Sequence, residues 1–242
     1  MVNRSRQYAR LSTGRKAAIR EEACTWLNKL YFRRDEFLTG DASPEEVVRK
    51  AADIIIREFF GYEILKPPEI LTTRFGFQTA GVIDRTANTV TIAQNFKLEY
   101  RRFTTSHELG HLVLHPAITY HRDRPLDGSD EDYRKPKEEL EADLFGAEFL
   151  MPTNLLRKVF TACFGGPIVG GEADENVCYY LGTAVGRRLS PKDFRKLTVL
   201  DRAKLVSSVS DFATNRFESL ESRFMVSRTA MAIQLRDLKL VT

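Results

Sequence analysis

The chain has 242 residues, 43% of them hydrophobic and 29% charged, with a formal net charge of +4 and a pI near 8.9. That is enough length to bury a substantial core, in one large domain or two small ones, and the mild basicity permits nucleic-acid contact without demanding it. No apolar run approaches the ~20 residues that cross a bilayer, because Arg57 and Glu58 interrupt the greasiest stretch, so no membrane partner is expected.

The first twenty residues carry Arg4, Arg6, Arg10, Arg15, Lys16 and Arg20 and no acid. The pattern imitates a transit peptide but lacks the apolar core of a secretory signal, and reads better as a basic arm running into a helix over 16–32. After a turn at 40–43, Ser43 predicts a helix start: an N-cap serine, Pro44 at the first position and Glu46 completing a capping box. Val47, Val48, Ala51, Ile54, Ile55 and Phe59 form its apolar stripe, and Gly61 suits its stop. Residues 80–83 and 89–93 read as two short strands around a polar turn at 84–88. Helices are predicted over 103–114 and 138–150, joined by a long charged loop at 116–137 of the kind that is often functional. The remainder is mostly helical, and residues 217–240 have the rhythm of two short helices around a turn at 225–227. The fold class expected is α+β: a small antiparallel sheet packed on helices, then a mostly helical C-terminal portion.

Cys24, Cys163 and Cys178 occur in no CxxC spacing, which predicts neither a disulfide framework nor a cysteine zinc site and suits a reducing cytoplasm.

All four histidines lie between positions 107 and 121, two of them in His107-Glu108-Leu109-Gly110-His111. On a helix, residues four apart share a face, so both imidazoles can reach one metal ion, with Glu108 beside them to take a proton from water. An HExxH string arises by composition in on the order of one such chain in a hundred, so context has to carry the reading. Here it lies in an apolar helix, where unpaired imidazoles and a carboxylate are costly to bury. A third ligand can come from the next helix, where Glu139 and Asp143 share a face; one could bind metal while the other holds a liganding imidazole. Two histidines and a carboxylate leave a fourth position open, the pattern of catalytic zinc. His115 also falls on the His111 face and could be a ligand, but Pro116 ends the helix there and favours a structural or helix-end role. Tyr120, His121 and Tyr133 in the charged loop are candidate oxyanion donors, each against the plain alternative of a solvated side chain.

The string from Arg102 to Leu112, with His115 after it, resembles the signature of the ImmA/IrrE metallopeptidases. The string from Glu139 through Phe149 to Leu150-Met151-Pro152 is similar to that family's second motif, and the resemblance covers roughly 44–160. It implies a gluzincin-like zinc endopeptidase domain over 43–165, between a basic arm and helix at 1–42 and a helical region at 166–242. It implies Glu139 as third ligand, thirteen positions before Pro152, with Glu141 as the alternative ligand and Asp143 orienting a histidine. Glu108 is then the catalytic base. The cofactor expected is Zn2+, with Mn2+ able to use the same ligands. The resemblance further implies a helix-turn-helix repressor as substrate, in a stress, defence or mobile-element response. Single-stranded DNA is a candidate activator, on the basic arm and on the run 187–204, where seven Lys or Arg stand against Asp193 and Asp201; the plain alternative is a solvated face that keeps the chain soluble. Cys163 or Cys178 could occupy the open metal position in a resting state. The competing reading is a DNA-binding regulator with a zinc site and no protease activity, using 220–240 as a helix-turn-helix.

Overall fold

The structure, a computed structural model, describes residues 11–40, 42–69, 71–72, 78–117, 136–170, 173–213 and 215–242. Arg4, Arg6 and Arg10 of the basic arm, and Tyr120, His121 and Tyr133 of the charged loop, lie outside the described residues. The chain divides into two compact units, Met1–Leu150 and Met151–Thr242.

The first unit opens with α1, Thr13–Phe32, which begins where the Ser12 side chain accepts from the Arg15 backbone N–H. Ile19, Ala23, Leu27 and Leu30 recur every three or four residues and are its buried face. A four-residue helix, α2 (Arg34–Phe37), follows, and then α3, Pro44–Ile54. The capping box at α3 is present in both directions, with the Ser43 side chain accepting from Glu46 N and the Ser43 N–H donating to Glu46. The apolar stripe runs on through a π-helical turn at Ile55–Phe59, and Gly61 takes a left-handed φ of 70° that ends it.

The short strands β1 (Glu63–Leu65), β2 (Leu71–Thr72), β3 (Gln78–Thr79), β4 (Gly81–Asp84) and β5 (Thr89–Ile92) follow. β4 and β5 are the antiparallel pair read from the sequence, with Ile83 opposite Val90. Their turn is built by Asp84, whose carboxylate accepts from the Thr86 and Ala87 N–H groups, and by Asn88 in the left-handed region at φ 53°. β1 adds a parallel strand beside β5, so the sheet order is β1-β5-β4 and β4 stands at its edge among the described residues. Ile83, Val90 and Ile92 turn inward and are buried.

Two long helices complete the unit: α4, Leu98–Leu114, and α5, Lys137–Leu150. α4 starts five residues before the apolar pattern does, because Leu98 and Tyr100 in its first turn remain exposed. Periodicity reports burial, and an exposed first turn has none to report. α5 packs against both α4 and α1, burying Leu140, Phe145 and Phe149; each fully buried side chain of this kind stabilises by roughly 1.5–3 kcal/mol.

The second unit is helical: α6 (Thr153–Phe164), α7 (Glu175–Ala184), α8 (Pro191–Lys196), α9 (Val199–Ser208), α10 (Leu220–Arg223) and α11 (Arg228–Asp237), with a two-residue hairpin, β6 (Asp211–Phe212) and β7 (Asn215–Arg216). α11 packs on α9 and buries Met231, Ala232 and Leu235. The rhythm read over 217–240 corresponds to α10 and α11, with the turn residue Met225 at φ 50°.

Candidate metal centre

Two glycines let α4 and α5 meet closely. A Cβ on Gly110 of α4 would lie 3.1 Å from the Ala142 Cα, and one on Gly146 of α5 would lie 3.2 Å from the His107 backbone nitrogen. With no side chain at either point the backbones nearly touch. Successive turns of α4 thereby present His107 and His111 to successive turns of α5, which carry Glu139 and Asp143.

The result is a buried cluster. His107 Nε2 and His111 Nε2 are 3.0 Å apart. Glu139 Oε2 is 3.2 Å from His107 Nε2, and Glu139 Oε1 is 3.3 Å from His111 Nε2. Among the described residues, these three are the group of His, Cys, Asp and Glu side chains whose ligand atoms all lie within 4.8 Å of one another. A tetrahedral zinc with bonds of 2.0–2.1 Å spaces its ligand atoms about 3.3 Å apart, so the spacing suits such an ion.

Proton placement argues the same way. His107 Nδ1 lies 3.0 Å from Asp143 Oδ1. A carboxylate only accepts, so Nδ1 carries the proton and a neutral His107 turns a bare Nε2 lone pair toward Glu139 and His111. Burial pushes His111 down to about 4, against the opposing pull of Glu139, and the neighbouring His107 and His115 add to the fall, so it too is neutral near pH 7. Burial would raise Glu139, and what holds its carboxyl below the ordinary range is donation and positive charge from His107 and His111, a part that a bound cation takes over once both rings turn lone pairs inward. Its Oε2 finds no hydrogen-bond donor among the described residues. With both rings in that tautomer, two lone pairs and a buried carboxylate face one another, which suits a cation.

Glu108 is 1% exposed, and its carboxylate rests against strand β4, where Gly81 leaves it room. The backbone carbonyl of Gly81 accepts from the Thr79 hydroxyl at 2.9 Å. At the far end of α4, Arg85 donates to the carbonyls of His111 (3.1 Å) and His115 (3.0 Å), tying the β4–β5 turn to the helix end.

Glu141, the alternative ligand, is engaged elsewhere. It accepts from Arg15 through both oxygens, Oε1 from Nε at 2.9 Å and Oε2 from Nη2, and its Oε2 lies 3.1 Å from His115 Nε2. Burial would raise its carboxyl, but Arg15 and His115 bring it down to about 2. Arg20, another residue of the basic stretch, lies 3.6 Å from the buried Glu148. Arg15 and Arg20 therefore neutralise α5 instead of extending a basic arm. Sequence reasoning placed Arg15 in the basic arm, and nothing local signals its part here: its partner is 126 positions away.

In the second unit, Arg228 pairs with Glu221 and Arg236 with Asp237, so these two arginines of 220–240 are engaged within the chain. The basic run 187–204 is partly neutralised by the pairs Lys196–Asp193 and Lys204–Asp201. Arg187 and Arg188 line a cavity of about 830 Å3 together with Glu175, Asn176, Tyr179 and Ser190. Cys163 and Cys178 are buried, and burial pushes both thiols up, away from the thiolate a metal would bind.

A small mixed sheet, an HExxH helix and a crossing helix that closes a His-His-Glu cluster define a metallopeptidase-like α+β domain. Residues 62–162 match the family model Peptidase_M78, described as the IrrE N-terminal-like domain. This stretch of the chain is similar to that domain, and it holds His107, His111 and Glu139. No curated protein matches the chain. No helix among the described residues is long and apolar enough to cross a membrane.

Proposed function

We propose that the chain is a zinc-dependent endopeptidase that cleaves a helix-turn-helix transcriptional repressor and so switches on a stress, defence or mobile-element response. The observation that carries this reading is the convergence of His107 Nε2, His111 Nε2 and Glu139 beside Glu108. His107, His111 and Glu139 hold the ion, and Asp143 keeps His107 in the tautomer that leaves Nε2 bare. When bound, zinc supplies Lewis acidity, lowering the pKa of a coordinated water toward ~7 and polarising the scissile carbonyl; manganese fits the same ligands. Glu108 takes the proton of the attacking water and returns it to the leaving amine, so it acts as base and then as acid. The edge strand β4 holds an extended substrate by backbone hydrogen bonds, which draws the peptide past Glu108 where Gly81 meets it.

Single-stranded DNA serves as activator in this reading. The cavity lined by Arg187, Arg188 and the 65% exposed Tyr179 supports it, since phosphates seek the guanidinium groups and bases stack on exposed aromatics. The test incubates the purified chain with helix-turn-helix repressors encoded beside its gene, with zinc or with chelator, and with or without oligonucleotide at low and high salt. Expected are a discrete metal-dependent cut and an acceleration by oligonucleotide that fades with salt. No cut of any such repressor would end the substrate proposal, and a rate indifferent to DNA at low salt would end the activator.

A further inference from the structure

Metal binding by His111 requires a bare Nε2, and the structure supplies a reason for its being bare. The Nδ1 of His111 lies 3.2 Å from the Nδ1 of His115. Two facing ring nitrogens can share a hydrogen bond only if one carries a proton and the other does not. The choice is made one link further out. His115 Nε2 lies 3.1 Å from Glu141 Oε2. A carboxylate only accepts, so neutral His115 keeps its proton on Nε2 and offers a lone pair at Nδ1. His111 must then donate from Nδ1, which leaves its Nε2 unprotonated toward His107 and Glu139.

Glu141 is itself held in place. Arg15 of α1 grips both its oxygens, and Lys137 Nζ stands 3.6 Å from Oε1. Arg85 fastens the carbonyls of His111 and His115, fixing the helix end from which the His115 ring reaches back. Arg15 lies outside the matched stretch 62–162. We infer that Arg15, Glu141 and His115 form a positioning relay that holds His111 in the Nδ1–H tautomer, making the N-terminal helix a working part of the metal site. This rests on reading His107, His111 and Glu139 as metal ligands. Asp143 does for His107 with one carboxylate what this relay does for His111 with three residues.

Removing the acceptor should turn the tautomer over. Without His115, Nε2–H can donate to Glu139 or to the bare Nε2 of His107, which puts a proton where the metal belongs. The test uses the full-length chain, stripped of metal, near neutral pH, with long-range nitrogen NMR reading the His111 tautomer. Wild type and His115→Asn, whose amide oxygen can still accept from Nδ1–H, should show Nδ1–H; His115→Ala should show Nε2–H. Zinc affinity by chelator competition should fall roughly 10- to 100-fold in His115→Ala, recover most of that in His115→Asn, and fall by less in Arg15→Ala because Lys137 remains. If His115→Ala fails to fold by circular dichroism, the wild-type tautomer and the Asn variant still decide the matter. An Nε2–H tautomer in the wild type, or the Nδ1–H tautomer unchanged in His115→Ala, overturns the relay. Unaltered zinc binding by Glu139→Ala would instead defeat the metal-site reading, and the tautomer result stands apart from it.

Discussion

The Cα of Gly81 lies against the carboxylate of Glu108: a Cβ built on Gly81 would come within 2.6 Å of Glu108 Oε1 and 2.6 Å of Thr104 Cγ2. The φ of Gly81 is not left-handed, so alanine suits its backbone and strand β4 should persist. What must yield is the end of Glu108 together with the Thr104 methyl. Gly81→Ala should keep fold and metal content while lowering the cleavage rate on the order of 10²-fold, the scale of a 1 Å misplacement of a reacting group. Metal analysis beside a rate measurement checks it, and a wild-type rate would mean that Glu108 works from another rotamer.

Replacing the carboxylate itself isolates its proton chemistry. Glu108→Gln preserves size and should bind metal as the wild type does, yet cleave 10²- to 10⁴-fold more slowly, the range for loss of a positioned acid or base. Near-wild-type turnover would remove Glu108 from the mechanism.

The acids of α5 should separate by metal content. Glu139→Ala leaves two histidines facing each other and should lose most bound zinc and, with it, stability. Glu141→Ala should weaken binding less, because its effect passes through His115. Elemental analysis of the two proteins in parallel decides, and the reverse order would exchange their roles.

The stability of the metal-free protein should depend on pH in a defined direction. His111 ionises near 4 in the folded chain against an ordinary 6.5, so between those values the unfolded chain binds a proton that the folded chain refuses. Stability therefore rises with pH across that window and is lost as pH falls from 6.5 to about 4. Glu141 acts in the same direction lower down: its pKa of about 2 against 4.5 gives stability that is present above 4.5 and lost as pH falls toward 2. Urea midpoints measured from pH 3 to 7.5 should show both losses, and His111→Asn should abolish the upper one. A midpoint in the wild type that stays level between pH 4 and 6.5 would contradict the burial of His111.

Much of the chain was legible without its structure because the signals are local. The capping box at Ser43, the strands at 81–84 and 89–92 and the i, i+4 histidines each follow from residues within a turn or two of one another. Periodicity also puts Glu139 and Asp143 on one face of α5 and Glu141 on another. It cannot say which of the two acids meets both histidines, because that depends on where the helices cross. Gly110 and Gly146 decide it, by letting backbone approach backbone at Ala142 and at His107. The part played by Arg15 and His115 was illegible for the same reason. Arg15 stood in a basic stretch that composition assigns to solvent, and only folding brings it to a carboxylate 126 positions away. The sequence by itself determined the chemistry available, two imidazoles, a base and a set of acids on helices. Tertiary structure alone decided which acid faces the metal position and which proton each imidazole keeps, because both depend on distances between helices that are remote in the chain.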